Sequence, residues 1–156
     1  MTRRPAAWMM VWLLLAGCAS RPTALRSPKG FRSVSARFGD RKACVLVADS
    51  EPLRARGLMD VDQLGRFDAI VFRFPAVTRG AFYMFHTRIA LTIAFVGADG
   101  VVRERQDMVP CPESEGSACP LYRPQAEYLD AIEYLPSSTV GGALTPGTAV
   151  SFGGSC

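Results

Sequence analysis

Short apolar segments separated by turn-forming residues constrain the fold of this chain most strongly. In the clearest of them, Leu91, Ile93 and Phe95 alternate with Thr92 and Ala94 over residues 91–96, the pattern of a half-buried strand. Six further segments predict strands, namely 44–48, 68–74 (stopped by Pro75), 80–86, 101–107, 126–134 and 148–152. The chain is therefore expected to be mainly β, a compact β-sandwich or barrel-like domain with one or two short helices.

One of those helices is predicted directly after the segment 44–48. Asp49 or Ser50 can cap it, and Glu51 and Pro52 suit a first helical turn. Gly57 is expected to end the helix near residues 58 and 59 in a left-handed conformation. Further along, the Ala-Asp-Gly sequence of residues 98–100 predicts a hairpin turn.

The N-terminus has the composition of an export signal. Arg3 and Arg4 precede the apolar residues 6–16, a run of about 11 residues where a membrane-spanning helix needs roughly 20. The run ends Leu-Ala-Gly-Cys, which is typical of a lipoprotein cleavage site. Residues 1–17 are therefore predicted to be a lipoprotein signal peptide, with Cys18 carrying the acyl chains that anchor the chain to the membrane. The alternative is an ordinary signal peptide followed by a coincidental cysteine.

Residues 18–42 are predicted to form a basic, flexible tether ahead of a single domain at 43–156. The tether is rich in Arg, Ser, Pro and Gly, and its only acid is Asp40. Its basic residues contact anionic head groups or belong to a hydrated linker. Ala19, where an aspartate would resemble an inner-membrane retention signal, favours the outer membrane, facing the periplasm.

Charge and cysteine content narrow the classes further. The formal charge is +4, and Arg3 and Arg4 contribute two of those charges, so the predicted mature chain is too weakly basic to indicate nucleic-acid binding. Four cysteines follow Cys18, which in an exported chain predicts two disulfides. Three pairings are possible, and we favour Cys111–Cys119 and Cys44–Cys156. The cysteine spacing and the single histidine argue against zinc, and no cofactor is expected.

Three segments taken together resemble a known family. They are residues 54–59 (R-A-R-G-L-M), 82–87 (F-Y-M-F-H-T) and 91–95, which leads into the hairpin at 98–100. As a set they resemble the bacterial and archaeal family called domain of unknown function 192, over about residues 43–152. The resemblance implies a fold similar to small β-sandwich domains, and no general enzymatic activity is established for the family.

The chain departs from that family at several polar positions. The family's aromatic motif usually continues with lysine and asparagine, then proline and aspartate. The corresponding residues here are Phe85, His86, Ala90 and Thr92. The family's late-strand glutamate corresponds most nearly to Ala131, beside Asp130. Most of a polar cluster that would bind a ligand or hold a proton is therefore replaced.

The candidate ligand-binding residues are Arg54, Arg56, Tyr83, His86 and Thr92. One arginine can bind a carboxylate or phosphate, or pair structurally with Asp49, Glu51 or Asp60. His86 is a general base, or a structural histidine with one hydrogen bond. The aromatic residues around it line a sugar-stacking face or belong to the core.

Two functions follow from these residues. The first is a non-catalytic module of the cell envelope that binds a small polar or glycan-like ligand, or a partner protein. The alternative is a hydrolase-type enzyme that uses His86 with a carboxylate such as Asp130. The two are distinguished by whether His86 and Asp130 converge in a cleft.

Overall fold

The computed structural model of the chain describes residues 30–112 and 114–156. The predicted signal peptide, the lipidation site at Cys18 and the first part of the predicted tether lie outside these residues. Within them, no helix has both the length and the apolar character needed to cross a membrane. The described residues belong to the part of the chain that follows the predicted anchor.

The expected mainly-β class is confirmed: seven strands form a single curled, mixed sheet, accompanied by one short α-helix. The elements in chain order are β1 (Arg32–Phe38), β2 (Arg41–Ala48), α1 (Glu51–Arg56), β3 (Ala69–Thr78), β4 (Leu91–Val96), β5 (Val102–Met108), a 3-10 turn (Gly116–Ala118), β6 (Tyr128–Tyr134) and β7 (Val150–Phe152).

The strand order across the sheet is β5-β4-β6-β3-β2-β1-β7. Only β2 and β3 are parallel, and the crossover between them contains α1. The two ends of the sheet approach each other, since the N–H of Val102 donates to the carbonyl of Thr148 and that of Val150 to the carbonyl of Gly100, both within 2.9 Å. The strand order places β6 between β4 and β3, and the curl helps to cover both of its faces.

Successive side chains of the central strands point to opposite faces of the sheet and belong to two separate cores. Leu46, Phe72 and Phe95 belong to the core beneath α1 and the 80–89 segment. Val45 and Val71 belong to the core on the other face. Because both faces of β4 are covered, all six of its residues are buried. The prediction that residues 91–96 form a half-buried strand is therefore right about the strand and wrong about its exposure.

Both favoured disulfides are present, Cys44–Cys156 and Cys111–Cys119. Cys44 lies on β2, however, and β1 separates β2 from β7 in the sheet. The long disulfide thus fastens the C-terminus across β1 to β2. The short one closes the loop after β5, as expected.

The domain begins earlier than predicted. Residues 32–42, assigned from sequence to the tether, form β1 and the start of β2, and Ala36 and Phe38 are buried. The polar composition of β1 is misleading because β1 lies near the edge of the sheet and exposes its arginines. Pro75 does not end β3 either. It lies where the pairing between β3 and β6 shifts register, and such an irregularity tolerates a residue without an N–H.

The predicted strand at 80–86 is wrong. This segment makes only isolated bridges to its neighbours, through Phe82 and Phe85. It turns at His86, which has a positive φ of 52°. The alternation of large residues that suggested a strand arises instead because Phe82 and Met84 face the core while Tyr83 and His86 face solvent.

The backbone at His86 generates a stability prediction. Left-handed conformations cost most L-residues roughly 1–2 kcal/mol, and asparagine and glycine tolerate them best. We expect His86→Asn to match the wild type within about 0.5 kcal/mol and His86→Ala to unfold at lower urea, by about 1 kcal/mol. His86→Gly is the control, expected to be at least as stable as His86→Ala. Equal stability of the alanine and asparagine variants would contradict this reading.

Candidate functional site

A cavity of about 260 Å³ lies on the face of the sheet that carries α1. It is bounded by α1, by β3 and β6, and by residues 80–87. Its lining is mainly aromatic and small apolar, with a few polar groups at the mouth and one at the floor. Such a concave, largely apolar space with few convergent polar groups is the usual form of a small-molecule site.

Gly57 sets how closely α1 approaches the sheet. Its φ is +45°, and its N–H donates to the carbonyl of Leu53, which ends the helix as expected. A Cβ at this position would lie 3.1 Å from the ring of Phe72. The positive φ therefore favours glycine, the space against Phe72 is tight for any larger residue, and the mouth of the cavity forms where the helix stops.

A cluster of aromatic rings forms the wall of the cavity. The ring of Phe82 stands edge-on to Phe72 at 5.1 Å and to Phe95 at 5.9 Å between centroids. Tyr128 packs on Phe95 at 4.9 Å and donates its hydroxyl to the carbonyl of Gly80 at 2.9 Å. Burial raises the pKa of Tyr128 to about 12, so this hydroxyl remains a donor and fixes the start of the 80–87 segment. Phe82 and Phe95 therefore pack in the core, which was the alternative to a sugar-stacking face.

The disulfide loop supports the outer side of this wall. Phe82 and Tyr122 exchange two backbone hydrogen bonds, of 3.0 and 2.8 Å, and the N–H of Cys111 donates to the carbonyl of Met84 at 3.3 Å. The Cys111–Cys119 bond closes the loop that begins at Cys111, and Tyr122 follows three residues after that loop. Residues 80–87 are therefore held by the sheet on one side and by a covalently closed loop on the other.

Glu133 lines the cavity from β6 and is only 4% exposed. Its strand neighbours are Ile70 on β3 and Ile93 on β4. Within residues 30–112 and 114–156 its carboxyl group has neither a hydrogen bond nor an ion pair. Burial raises its pKa to about 8, so at neutral pH it is mostly a neutral acid that offers one donor and one acceptor.

Sequence reasoning missed Glu133. It placed the late-strand glutamate of the resemblance nearest Ala131, whereas the glutamate that faces the cavity comes two residues later on the same face of β6. Ile132 and Tyr134 on either side belong to the opposite core. The available signal was an acid between large apolar residues of a strand. Its meaning depended on β6 being central, which the sequence did not show.

The mouth of the cavity carries the two candidate arginines. The Arg54 guanidinium lies over the ring of Phe74, 5.2 Å from its centroid, and its Nη1 donates to the carbonyl of Arg73 at 2.9 Å. Arg56 lies over Phe31 at 4.8 Å. Two positive charges therefore flank the opening, with Glu51 as the one acid among the α1 residues that line it. Tyr83, also a candidate, lines the same opening and is 40% exposed.

Two of the three acids considered as structural partners of these arginines, Asp49 and Asp60, have other partners. Asp49 accepts from Arg32 at 2.8 Å, and the Arg32 hydrogen bond lowers the pKa of Asp49. Asp60 accepts from Arg88 at 2.9 Å. Arg54 is instead positioned by an aromatic ring and a backbone carbonyl, which leaves its charge uncompensated by a carboxylate in the described part of the chain.

His86 and Thr92, the remaining candidates, lie outside the cavity lining. The His86 ring packs on Phe85 at 4.0 Å between centroids, and its Nδ1 is 4.0 Å from Asp60 Oδ2. Thr92 donates its hydroxyl to Asp107 at 2.6 Å on the opposite face of the sheet, since its neighbours Leu91 and Ile93 face the cavity side.

His86 and Asp130 are not brought together. Asp130 accepts from Arg73 Nε at 3.1 Å and shares its face of β6 with Ile132 in the opposite core. Burial raises the pKa of Asp130, and the charge of Arg73 partly offsets that effect. No group of three or more metal-ligating side chains occurs in residues 30–112 and 114–156. The geometry thus supplies a cavity with one buried acid, and no acid–base pair between His86 and Asp130.

The buried acid predicts a specific pH dependence of stability. Glu133 has a pKa of about 8 when folded, against 4.5 as the ordinary value, so the folded state binds the extra proton between these limits. The free energy of unfolding therefore falls as pH rises through this range. Relative to Glu133→Gln, which has no such proton, the wild type should lose roughly 3 kcal/mol between pH 5 and pH 8.

Urea unfolding of both proteins at the two pH values measures this difference. The variant is its own control for every other titrating group, Asp130 included. Parallel pH dependence in the two proteins would show that Glu133 is ionised when folded and that its environment is more polar than the cavity described here.

Known proteins are similar to this chain in their family and in their fold. Two solved structures are similar: a candidate transcription regulator from Sinorhizobium meliloti 1021 (18% identity, TM-score 0.67, 78% of this chain and 95% of that one) and a protein of unknown function from Novosphingobium aromaticivorans DSM 12444 (22% identity, TM-score 0.63, 78% and 84%). At these identities the likeness concerns the fold alone.

No curated protein matches the sequence. Residues 34–152 match the model of the family described as uncharacterized ACR, DUF192. This range contains β2 to β7, most of β1 and the whole lining of the cavity. The sequence resemblance is thereby confirmed, and the chain belongs to the DUF192 family.

Proposed function

We propose that this chain is a lipid-anchored protein of the cell envelope whose domain binds a small ligand in the cavity beneath α1. The observation that carries the proposal is Glu133, an unpartnered acid at the floor of an otherwise aromatic space. Its carboxyl group makes no hydrogen bond within the described part of the chain and borders the cavity. A ligand that offers this group a hydrogen bond gains about 0.5–1.5 kcal/mol over a purely apolar contact.

A binding role fits the surroundings of Glu133 better than hydrolysis does. Hydrolysis requires a nucleophile or an activated water and a matched acid or base within hydrogen-bond reach. His86 and Asp130, the pair considered for that role, have Asp60 and Arg73 as their respective neighbours. The aromatic lining also narrows the earlier expectation of a small polar or glycan-like ligand to one with an apolar body and few polar groups.

A partner protein is the less supported occupant of this domain. Val77, Tyr83, Val109 and Leu121 are large apolar side chains with exposures between 40% and 61%. Exposed apolar side chains that occur singly are common on monomeric proteins. The cavity beneath α1, in contrast, is a half-open concave space lined mainly by aromatic and small apolar side chains, the usual character of a ligand site.

The anchor part of the proposal rests on the sequence of residues 1–18. With Cys18→Ser, the chain should lose its acyl chains and move from the membrane pellet to the soluble fraction. Several acyl chains, at about 0.8 kcal/mol per buried methylene, otherwise hold a protein essentially permanently. Carbonate-washed membranes are compared by immunoblot, with Ser20→Ala as a neighbouring control. A Cys18→Ser protein that still pellets would exclude this cysteine as the anchor.

Occupation of the cavity is tested by blocking its mouth. Ala55 is an exposed residue of α1 that lines the opening, so Ala55→Trp should fill the entrance without disturbing the core. In ligand-observed NMR with a fragment library, fragments that bind the wild type should lose their signal with this variant. Ala90→Trp is the matched control, since Ala90 is exposed and lies outside the cavity lining.

Both tryptophan variants are expected to melt near the wild-type temperature, and His86→Asn should retain the fragments. If every fragment that binds the wild type also binds Ala55→Trp, the ligand site is elsewhere and the proposal fails.

A further inference from the structure

We infer that the cavity beneath α1 takes a small organic acid: an apolar, ring-sized body with an anionic carboxylate at the mouth beside Arg54 and a neutral hydrogen-bonding group at the floor beside Glu133. This inference rests on the proposed binding function and adds the chemical class of the ligand.

The residues at the mouth of the cavity favour a ligand with a negatively charged group there. Arg54 is held by the ring of Phe74 and the carbonyl of Arg73, and Arg56 lies over Phe31. These contacts fix the positions of two guanidinium groups, and that of Arg54 has no carboxylate partner in the described part of the chain. A guanidinium that is pre-positioned in this way suits a carboxylate, with which it forms paired, charge-assisted hydrogen bonds. Glu51 reduces the positive potential and does not reverse it.

At the buried end of the cavity, Glu133 favours an uncharged hydrogen-bonding group of the ligand. Since burial keeps the pKa of Glu133 near 8, the acid form is the one a ligand meets at neutral pH. An ammonium group would first have to displace that proton and would also have to pass the two arginines. A hydroxyl, carbonyl or amide pairs with the acid form directly.

No other ionisable group competes for the role of Glu133. The charged or titratable side chains that line the cavity with it are Glu51, Arg54, Arg56, Tyr83 and Tyr128. Tyr128 already donates to Gly80, and its pKa of about 12 keeps it neutral. Burial alone accounts for the raised pKa of Glu133, so a ligand group at the floor interacts with this one acid.

The aromatic side chains of the wall favour a ligand whose apolar part is a single ring. Phe72, Phe74 and Phe82 present ring edges and faces toward a volume of about 260 Å³. That space holds one substituted benzene ring with a short side chain, and edge-to-face contact with such a ring is favourable. A larger glycan would leave most of its hydroxyl groups without partners in this lining.

Four probes of nearly equal size separate these elements: 4-hydroxyphenylacetate, phenylacetate, tyramine and 4-ethylphenol. We expect 4-hydroxyphenylacetate to bind most tightly by NMR titration. Tyramine, with an ammonium in place of the carboxylate, should be at least tenfold weaker. Phenylacetate and 4-ethylphenol, which each lack one polar group, should be weaker by about three- to tenfold.

Two variants and a pH series of affinities test whether Arg54 and Glu133 contact the ligand. Arg54→Gln should weaken 4-hydroxyphenylacetate at least tenfold and leave 4-ethylphenol unchanged. For the wild type, the affinity for 4-hydroxyphenylacetate should fall above pH 8, because ionised Glu133 repels the ligand's carboxylate across the small cavity, while the phenol keeps its own proton up to about pH 9 to 10. Glu133→Gln, a permanently neutral analogue, should bind with an affinity that stays level over this range.

Three results would overturn the inference: preference for tyramine with affinity that rises with pH, loss of all binding in Glu133→Gln, or no binding by any of the four probes. If the probes fail while library fragments still lose their signal in Ala55→Trp, the ligand class is wrong and the binding site stands. If fragments and probes are both indifferent to Ala55→Trp, the binding function itself is wrong.

Discussion

The structure depends on covering both faces of the strands in the middle of the sheet. β4 and β6 are flanked by strands on each side, with α1 and residues 80–89 over one face and the curl of the sheet enclosing the other. Nearly every side chain of these strands is therefore removed from water, whatever its polarity. The burial of Glu133 follows from the position of its strand, and so does its raised pKa. The chemistry of the cavity is thus a consequence of sheet topology as much as of local sequence.

What the sequence predicted correctly was local. The segments 44–48 and 91–96 are strands because apolar β-branched and aromatic residues favour them, and Gly57 ends α1 because glycine accepts a positive φ. The two disulfides were also predicted, since the four cysteines after Cys18 allow only three pairings. Mainly-β architecture followed from the number and shortness of the segments.

What the sequence did not predict was non-local. β1 is polar on its exposed side, so its place in the sheet depends on pairing with β2 and β7, and local composition suggested a tether. Residues 80–86 have the composition of a strand, but the contacts of Phe82 and the turn at His86 hold them as an irregular wall. Glu133 was missed for the same reason, because only strand order shows that it faces an enclosed cavity. Arg54, Arg56 and Tyr83 were identified and do lie together, whereas Thr92 is on the opposite face.

The departures from the family pattern have a different meaning once the fold is known. Phe85, His86 and Thr92 replace polar residues of the family motif, which suggested that a ligand site had been lost. None of these three residues lines the cavity: His86 packs on Phe85, and Thr92 is bonded to Asp107. Glu133, in contrast, lies in the cavity lining. The replaced positions and this buried acid therefore belong to separate surfaces, and the substitutions fall outside the lining of the cavity.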